Sequence, residues 1–338
     1  MSQFTKFIQQ EAVLENANDQ VTNHVAPEEE FEFALTTGTK CPLLSLGLVS
    51  FTGRDAHDFI NAQFTTDCAK ITSRRSQFSA WCDPKGRALY LFTLYTDGER
   101  IFAILPKQQI ANYMHRLKIY VMRSDVHLED ASDAYSIFGI TLDTVVENIK
   151  ATQNNLWTTF QGSPDTTEIR HGPGRPRFMV IGDDNSAIER WDAISLPVIS
   201  ENIWTALECI GGMPRLDEKS SGQYLPQNLN LDRLDALSFS KGCYPGQEII
   251  ARLRYRGEIK KRLMVANYDS GSAPDEKRSI RTKKSDRTVG RVLYARRVSQ
   301  TRSIVSAIVE LNAWNEDLIV ENENTRKLNR IDLPYSFD

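Results

Sequence analysis

The chain has 338 residues, enough for two or three domains each with its own core, and its apolar and charged fractions are those of an ordinary globular protein. A net charge of −3 argues against polyanion binding driven by overall charge, so no stable nucleic-acid complex is expected. No apolar run approaches the ~20 residues needed to span a bilayer, and the acidic N-terminus reads neither as a signal peptide nor as a transit peptide, so a cytoplasmic protein without membrane partners is expected.

Residues 1–38 form an acidic lead-in, expected to be weakly ordered, with a small apolar face at Phe4, Phe7 and Ile8. Leu43 to Gly53 then reads as a strand, and Asp55 to Phe64 as a helix with Ala56, Phe59, Ile60 and Phe64 at helical spacing. Strands follow at Gln77 to Cys82, Arg87 to Tyr95 and Arg100 to Leu105. They are separated by the turns Asp83-Pro84-Lys85-Gly86 and Thr96-Asp97-Gly98-Glu99. Lys107 to Lys118 reads as a helix and Val121 to Leu128 as a strand. This order predicts an α+β, ferredoxin-like unit rather than a doubly wound one. A second such unit begins at Tyr135 to Ile140 and closes at Phe178 to Ile181, with helix candidates at Thr141 to Lys150 and Asn185 to Ala193. Arg170 to Arg177 reads as a loop. After Gly257 come short β-like pieces: Arg262 to Tyr268, Thr288 to Ala295, Ile304 to Leu311 and Leu318 to Val320. They predict a small barrel. The expected division is 39–256 as an α+β region of two modules and 257–338 as a C-terminal β-barrel.

The five cysteines, Cys41, Cys68, Cys82, Cys209 and Cys243, are widely spaced and include no Cys-x-x-Cys pair. Zinc and iron–sulfur sites need three or four soft ligands, so no permanently bound metal is expected, and the odd count argues against a disulfide scaffold. Cys243 stands apart. It lies in Lys241-Gly242-Cys243-Tyr244-Pro245-Gly246-Gln247-Glu248, which continues through Arg252, Arg254 and Arg256 to Gly257. The preceding Leu234 to Phe239 alternates as a half-buried strand, so the motif reads strand, loop, basic helix. Lys241 and a helix N-terminus would both favour a thiolate. Three roles for Cys243 stay open: a functional thiol, a small spacer in a tight loop, or one ligand of a metal shared with a partner. The arginines suit an anionic tail, an RNA phosphate or plain solvation.

This string resembles the signature of the YgfZ-type folate-binding proteins, a tRNA-modification and iron–sulfur maintenance family related to the aminomethyltransferase of the glycine cleavage system. Further landmarks occur in order: Phe51-Thr52-Gly53, Cys82 to Arg87, Tyr120 to Ser124, Gly212-Met213-Pro214 and Gln223 to Gln227. The resemblance implies two ferredoxin-like modules and a C-terminal barrel packed as a ring, with tetrahydrofolate in the central cavity. It implies folate contact at Trp204, with Lys241, Arg252 and Arg254 as further cofactor-binding candidates. The implied partners are iron–sulfur enzymes such as radical methylthiotransferases. Two positions depart from the family pattern: Leu46 replaces a second tryptophan, and Ile210 replaces a pterin-binding glutamate. Glu208, two residues before Ile210, is expected to face elsewhere. Arg87 to Phe92 also lacks the carboxylate of the aminomethyltransferases, so an accessory role is expected rather than catalysis. A one-carbon transferase and a tRNA-binding module are the alternatives.

Overall fold

The computed structural model describes residues 2–11, 14–15, 20–21, 25–142, 156–162, 165–322 and 326–337. Helix α1 (Gln3–Glu11), the short hairpin β1 (Leu14–Glu15) and β2 (Gln20–Val21), and helix α2 (Pro27–Thr36) make up the lead-in. Where described, it is not a loose tail. Phe4 and Ile8 of α1 are fully buried, Phe4 lying 6.0 Å from Phe138 and 5.9 Å from Trp191. In α2, Phe31 is buried, and Glu30 Oε2 accepts hydrogen bonds from Ser200 N (2.9 Å) and Ser200 Oγ (2.7 Å). The acidic composition suggested solvation, but one apolar face per helix was enough to dock both.

Strand β3 (Gly38–Pro42) leads to β4 (Leu46–Thr52), helix α3 (Ala56–Gln63), the meander β5 (Gln77–Cys82), β6 (Ala88–Thr96) and β7 (Ile101–Pro106), helix α4 (Lys107–Lys118) and β8 (His127–Asp130). The antiparallel sheet order is β5-β6-β7-β4-β8. Residues 119–124 turn rather than extend, so β8 starts later than Val121. The second sheet has order β10-β11-β12-β9-β3. It is built from β9 (Ser136–Leu142), β10 (Thr159–Gly162), β11 (Thr166–Arg170) and β12 (Arg177–Gly182), with β3 borrowed from upstream as its edge. Thr141 and Leu142 belong to β9, and the rest of the helix candidate that ends at Lys150 lies outside the described residues. Helix α5 (Asp184–Asp192) starts at Asp183, whose side chain accepts from Ser186 N. Helix α6 (Glu201–Ile210) follows.

Residues 231–240 form turns, so the strand expected before the Cys243 loop is absent. Trp157 Nε1 donates to the Leu234 carbonyl (2.9 Å), Ser238 N to that of Thr65 and Thr65 Oγ1 to that of Ala236 (2.8 Å), satisfying this backbone without a ladder. Helix α7 (Gln247–Arg256) is as expected. The C-terminal sheet contains β13 (Lys261–Tyr268), β14 (Ser279–Thr282), β15 (Thr288–Arg297), β16 (Ser303–Glu310), β17 (Leu318–Val320) and β18 (Leu328–Ile331), in the order β17-β14-β15-β16-β13-β18. Its edges approach at one bridge, Ile319 to Lys327, making a half-barrel rather than a closed one. One continuous core runs from Leu48, Phe78 and Phe102 through Met179 and Trp204 to Leu263 and Leu293, tying all three sheets together.

Candidate functional site

Two adjoining cavities open where the three sheets meet. The inner one, about 70 Å³, has apolar walls that include Leu46, Phe78, Leu91, Ile104, Met179 and Met213. One end is polar: His171, Glu208 and Arg215. The outer cavity, about 480 Å³, shares Pro106, Arg215 and Leu216 with the inner one. It sets the cations Lys107, Arg215 and Arg296 against Glu201, Asp217 and Glu276.

Helix α6 builds the polar end. Glu201, Thr205 and Glu208 recur at helical spacing and face the cavities with Asn202, while Ile203, Trp204, Ala206, Leu207 and Cys209 are apolar and buried. Glu208 is a buried hub. Its Oε1 accepts from His171 Nε2 (2.8 Å) and Trp204 Nε1 (3.0 Å), and its Oε2 accepts from Arg215 Nη1 (2.8 Å). Burial alone would raise the Glu208 pKa, but Arg215, the His171 bond and Arg177 outweigh it and hold the carboxyl at about 2. Burial pushes the His171 imidazole below its ordinary value despite the carboxylate beside it, so the ring is neutral. Burial raises Glu201 to about 7, opposed by the hydrogen bond from Ser45 Oγ (2.6 Å). Arg296, from the half-barrel, is lowered by burial and by the nearby Arg215.

Trp204 is buried and lines neither cavity. Its ring lies on Gly139, where an added Cβ would come within 2.4 Å of it, and it stacks on His171 at 6.3 Å. The structure therefore makes Trp204 a holder of Glu208 and His171, not a wall of the site. Glu208, expected to face away, faces inward. Leu46 is in the inner wall, and Ile210 packs against the core.

The Cys243 motif lies apart; none of its residues lines either cavity. Gly246 precedes α7 with φ +77°, and an added Cβ would come 2.3 Å from Gly86 Cα, so two glycine turns meet backbone to backbone. Lys241 Nζ donates to the carbonyls of Asn61 and Phe64 at the end of α3 and sits 4.7 Å over the Tyr244 ring. Burial lowers this amine to about 8. It works as a helix terminator, not as a cavity ligand. Tyr244 is buried, Gln247 N bonds the Tyr244 carbonyl (3.1 Å), and Gly257 ends α7. Cys243, Gly242 and Glu248 are exposed. Arg252, Arg254 and Arg256 are exposed and form no ion pair among the described residues. Arg254 lies 4.1 Å over Phe239.

His171, Arg215, Arg296 and Glu201 were not singled out from sequence. The polar stripe Glu201, Thr205, Glu208 on a largely apolar helix was the available signal. No group of three metal-ligating side chains occurs among the described residues, and no helix among them is long and apolar enough to cross a membrane.

Three antiparallel sheets, one a half-barrel, around a central cavity define the fold of the glycine cleavage aminomethyltransferases. The solved aminomethyltransferase T of Bartonella henselae matches with a TM-score of 0.73, at 11% identity, over 97% of this chain and 96% of that one. In sequence the chain is similar to the YgfZ tRNA-modifying proteins, as the Cys243 string implies. It is 27% identical over 227 residues to tRNA-modifying protein YgfZ of Colwellia psychrerythraea (67% of this chain, 70% of that protein). It is 25% identical over 296 residues to that of Vibrio atlanticus (86% and 90%), and 25% identical over 297 residues to that of Escherichia coli (86% and 91%). No family model matches the chain.

Proposed function

We propose that this chain binds tetrahydrofolate in the central cavity and serves as an accessory protein to iron–sulfur enzymes, radical methylthiotransferases among them, through which it supports tRNA modification. In this reading the first two sheets are ferredoxin-like modules of a folate-binding region, 39–256, which the half-barrel of 257–338 completes into a ring. The observation that carries the reading is the composition of the cavity. Apolar walls and a charged end suit the flat face and polar edge of a pterin. Lys107 and Arg296 in the outer cavity suit the carboxylates of the glutamate tail. When bound, tetrahydrofolate supplies nitrogens that carry one-carbon units. This chain's residues would bind and orient it.

Relatives named for tRNA modification support the accessory role, as does the lack of a carboxylate from Arg87 to Phe92. Cys243 and the arginines of α7 lie outside the cavity and are assigned to partner contact. One observation favours a second reading. Glu201, held near 7 within the outer cavity, would suit proton transfer in a folate-dependent one-carbon transferase. Turnover of an aminomethyl or formaldehyde donor would establish that reading over the accessory one.

The first test is anaerobic calorimetric titration of the full chain with tetrahydrofolate. Dissociation in the micromolar range, ~8 kcal/mol of binding free energy, is expected. No heat at millimolar ligand would overturn the folate reading.

A further inference from the structure

Glu208 is ionised and so only accepts hydrogen bonds. The proton in its 2.8 Å bond with His171 therefore sits on His171 Nε2. A neutral imidazole carries one N–H, so Nδ1 is a bare acceptor. That atom is buried and has no hydrogen-bond partner among the described residues, although His171 as a whole is 6% exposed and lines the inner cavity. The ring cannot readily turn to find a partner. Trp204 stacks on one face at 6.3 Å, Trp157 meets it edge-on at 5.9 Å, and the Glu208 bond fixes its angle. Buried acceptors in native proteins are nearly always satisfied, and leaving one bare costs free energy. The inner cavity, about 70 Å³, has room for a ring system rather than for a whole folate.

We infer that His171 is a ligand-binding residue of the cavity whose Nδ1 accepts a hydrogen bond from an N–H on the edge of the bound heterocycle. This rests on the folate reading and deepens it. Three donors already converge on Glu208, which positions the imidazole, and the imidazole presents the acceptor. Recognition then requires an N–H at the ring edge, which a reduced pterin has. An unmodified hydrocarbon ring of the same size has none.

The test compares the full chain with its His171→Gln variant by anaerobic titration with tetrahydrofolate. Glutamine keeps an N–H near the Nε2 position for Glu208 and removes the Nδ1 acceptor. Binding about tenfold weaker with an unchanged melting temperature is expected, the loss of one hydrogen bond. In parallel, nitrogen NMR of the wild-type imidazole should show the Nε2–H tautomer, with the Nδ1 resonance moving upfield when tetrahydrofolate is added. This second readout decides the matter even if the variant folds poorly. Equal affinity of the variant and an unmoved Nδ1 resonance would overturn the role of His171 and leave the folate reading intact. No binding by the wild type would overturn the folate reading, and this inference with it.

Discussion

At the scale of single residues, two helical steps separate Glu208 from Ile210 and turn them about 200° apart. Glu208 reaches the cavity and Ile210 the core, so the carboxylate that lines the cavity is two positions from where the family resemblance implies one. Glu201 offers a pH test. Its folded pKa, about 7, lies above the unfolded value of 4.5, so the folded state binds the extra proton between those values. Stability from this group is therefore fully present below pH 4.5 and is lost as pH rises through 7, by roughly 3 kcal/mol. Glu201→Gln should raise the melting temperature at pH 8 and leave it unchanged at pH 4.5. An unaltered profile would show that Glu201 is ionised throughout. Glu208 was present in the sequence, but its inward direction became visible only once its three donors, from β12's neighbouring loop, α6 and residue 215, were in place.

At the scale of elements, α2 is a support for the site helix. Glu30 accepts both the N–H and the hydroxyl of Ser200, the residue that opens α6. Glu30→Ala should cost about 1–2 kcal/mol and lower the melting temperature by a few degrees. An unchanged transition would make α2 a passenger on the fold. The elements most legible in the sequence are those with strong local signals: α4 between its flanking strands, the Asp83 to Gly86 turn, and α7 after its glycine loop. The elements missed depend on distant partners. β14 and β18 are four residues each and exist through pairing with β15, β17 and β13, while residues 234–239 alternate like a strand but find their hydrogen bonds elsewhere.

At the scale of the whole molecule, the cavity and the Cys243 motif are separate places. Gly246 and Lys241 fasten this segment to the β5–β6 turn and to α3, which leaves an exposed thiol and three exposed arginines at the surface. Cys243→Ala should therefore melt as the wild type and bind tetrahydrofolate equally, yet fail to restore tRNA methylthiolation in a strain lacking its own relative. Full restoration would return Cys243 to the role of a spacer. Folate binding lost in the same variant would join the two places.

The sequence by itself determined the mixed α+β class, the order of the long elements, the β-rich C-terminal part and the kinship carried by the Cys243 string. These follow from local periodicity, turn chemistry and residue identity. Tertiary structure alone decided that α1 and α2 dock, that Trp204 backs the site instead of lining it, and that Glu208 meets His171 and Arg215 while Arg296 shares the outer cavity with Arg215. Those residues come from α6, two loops and the half-barrel, and only the packing of three sheets on one core brings such distant polar groups to adjoining cavities.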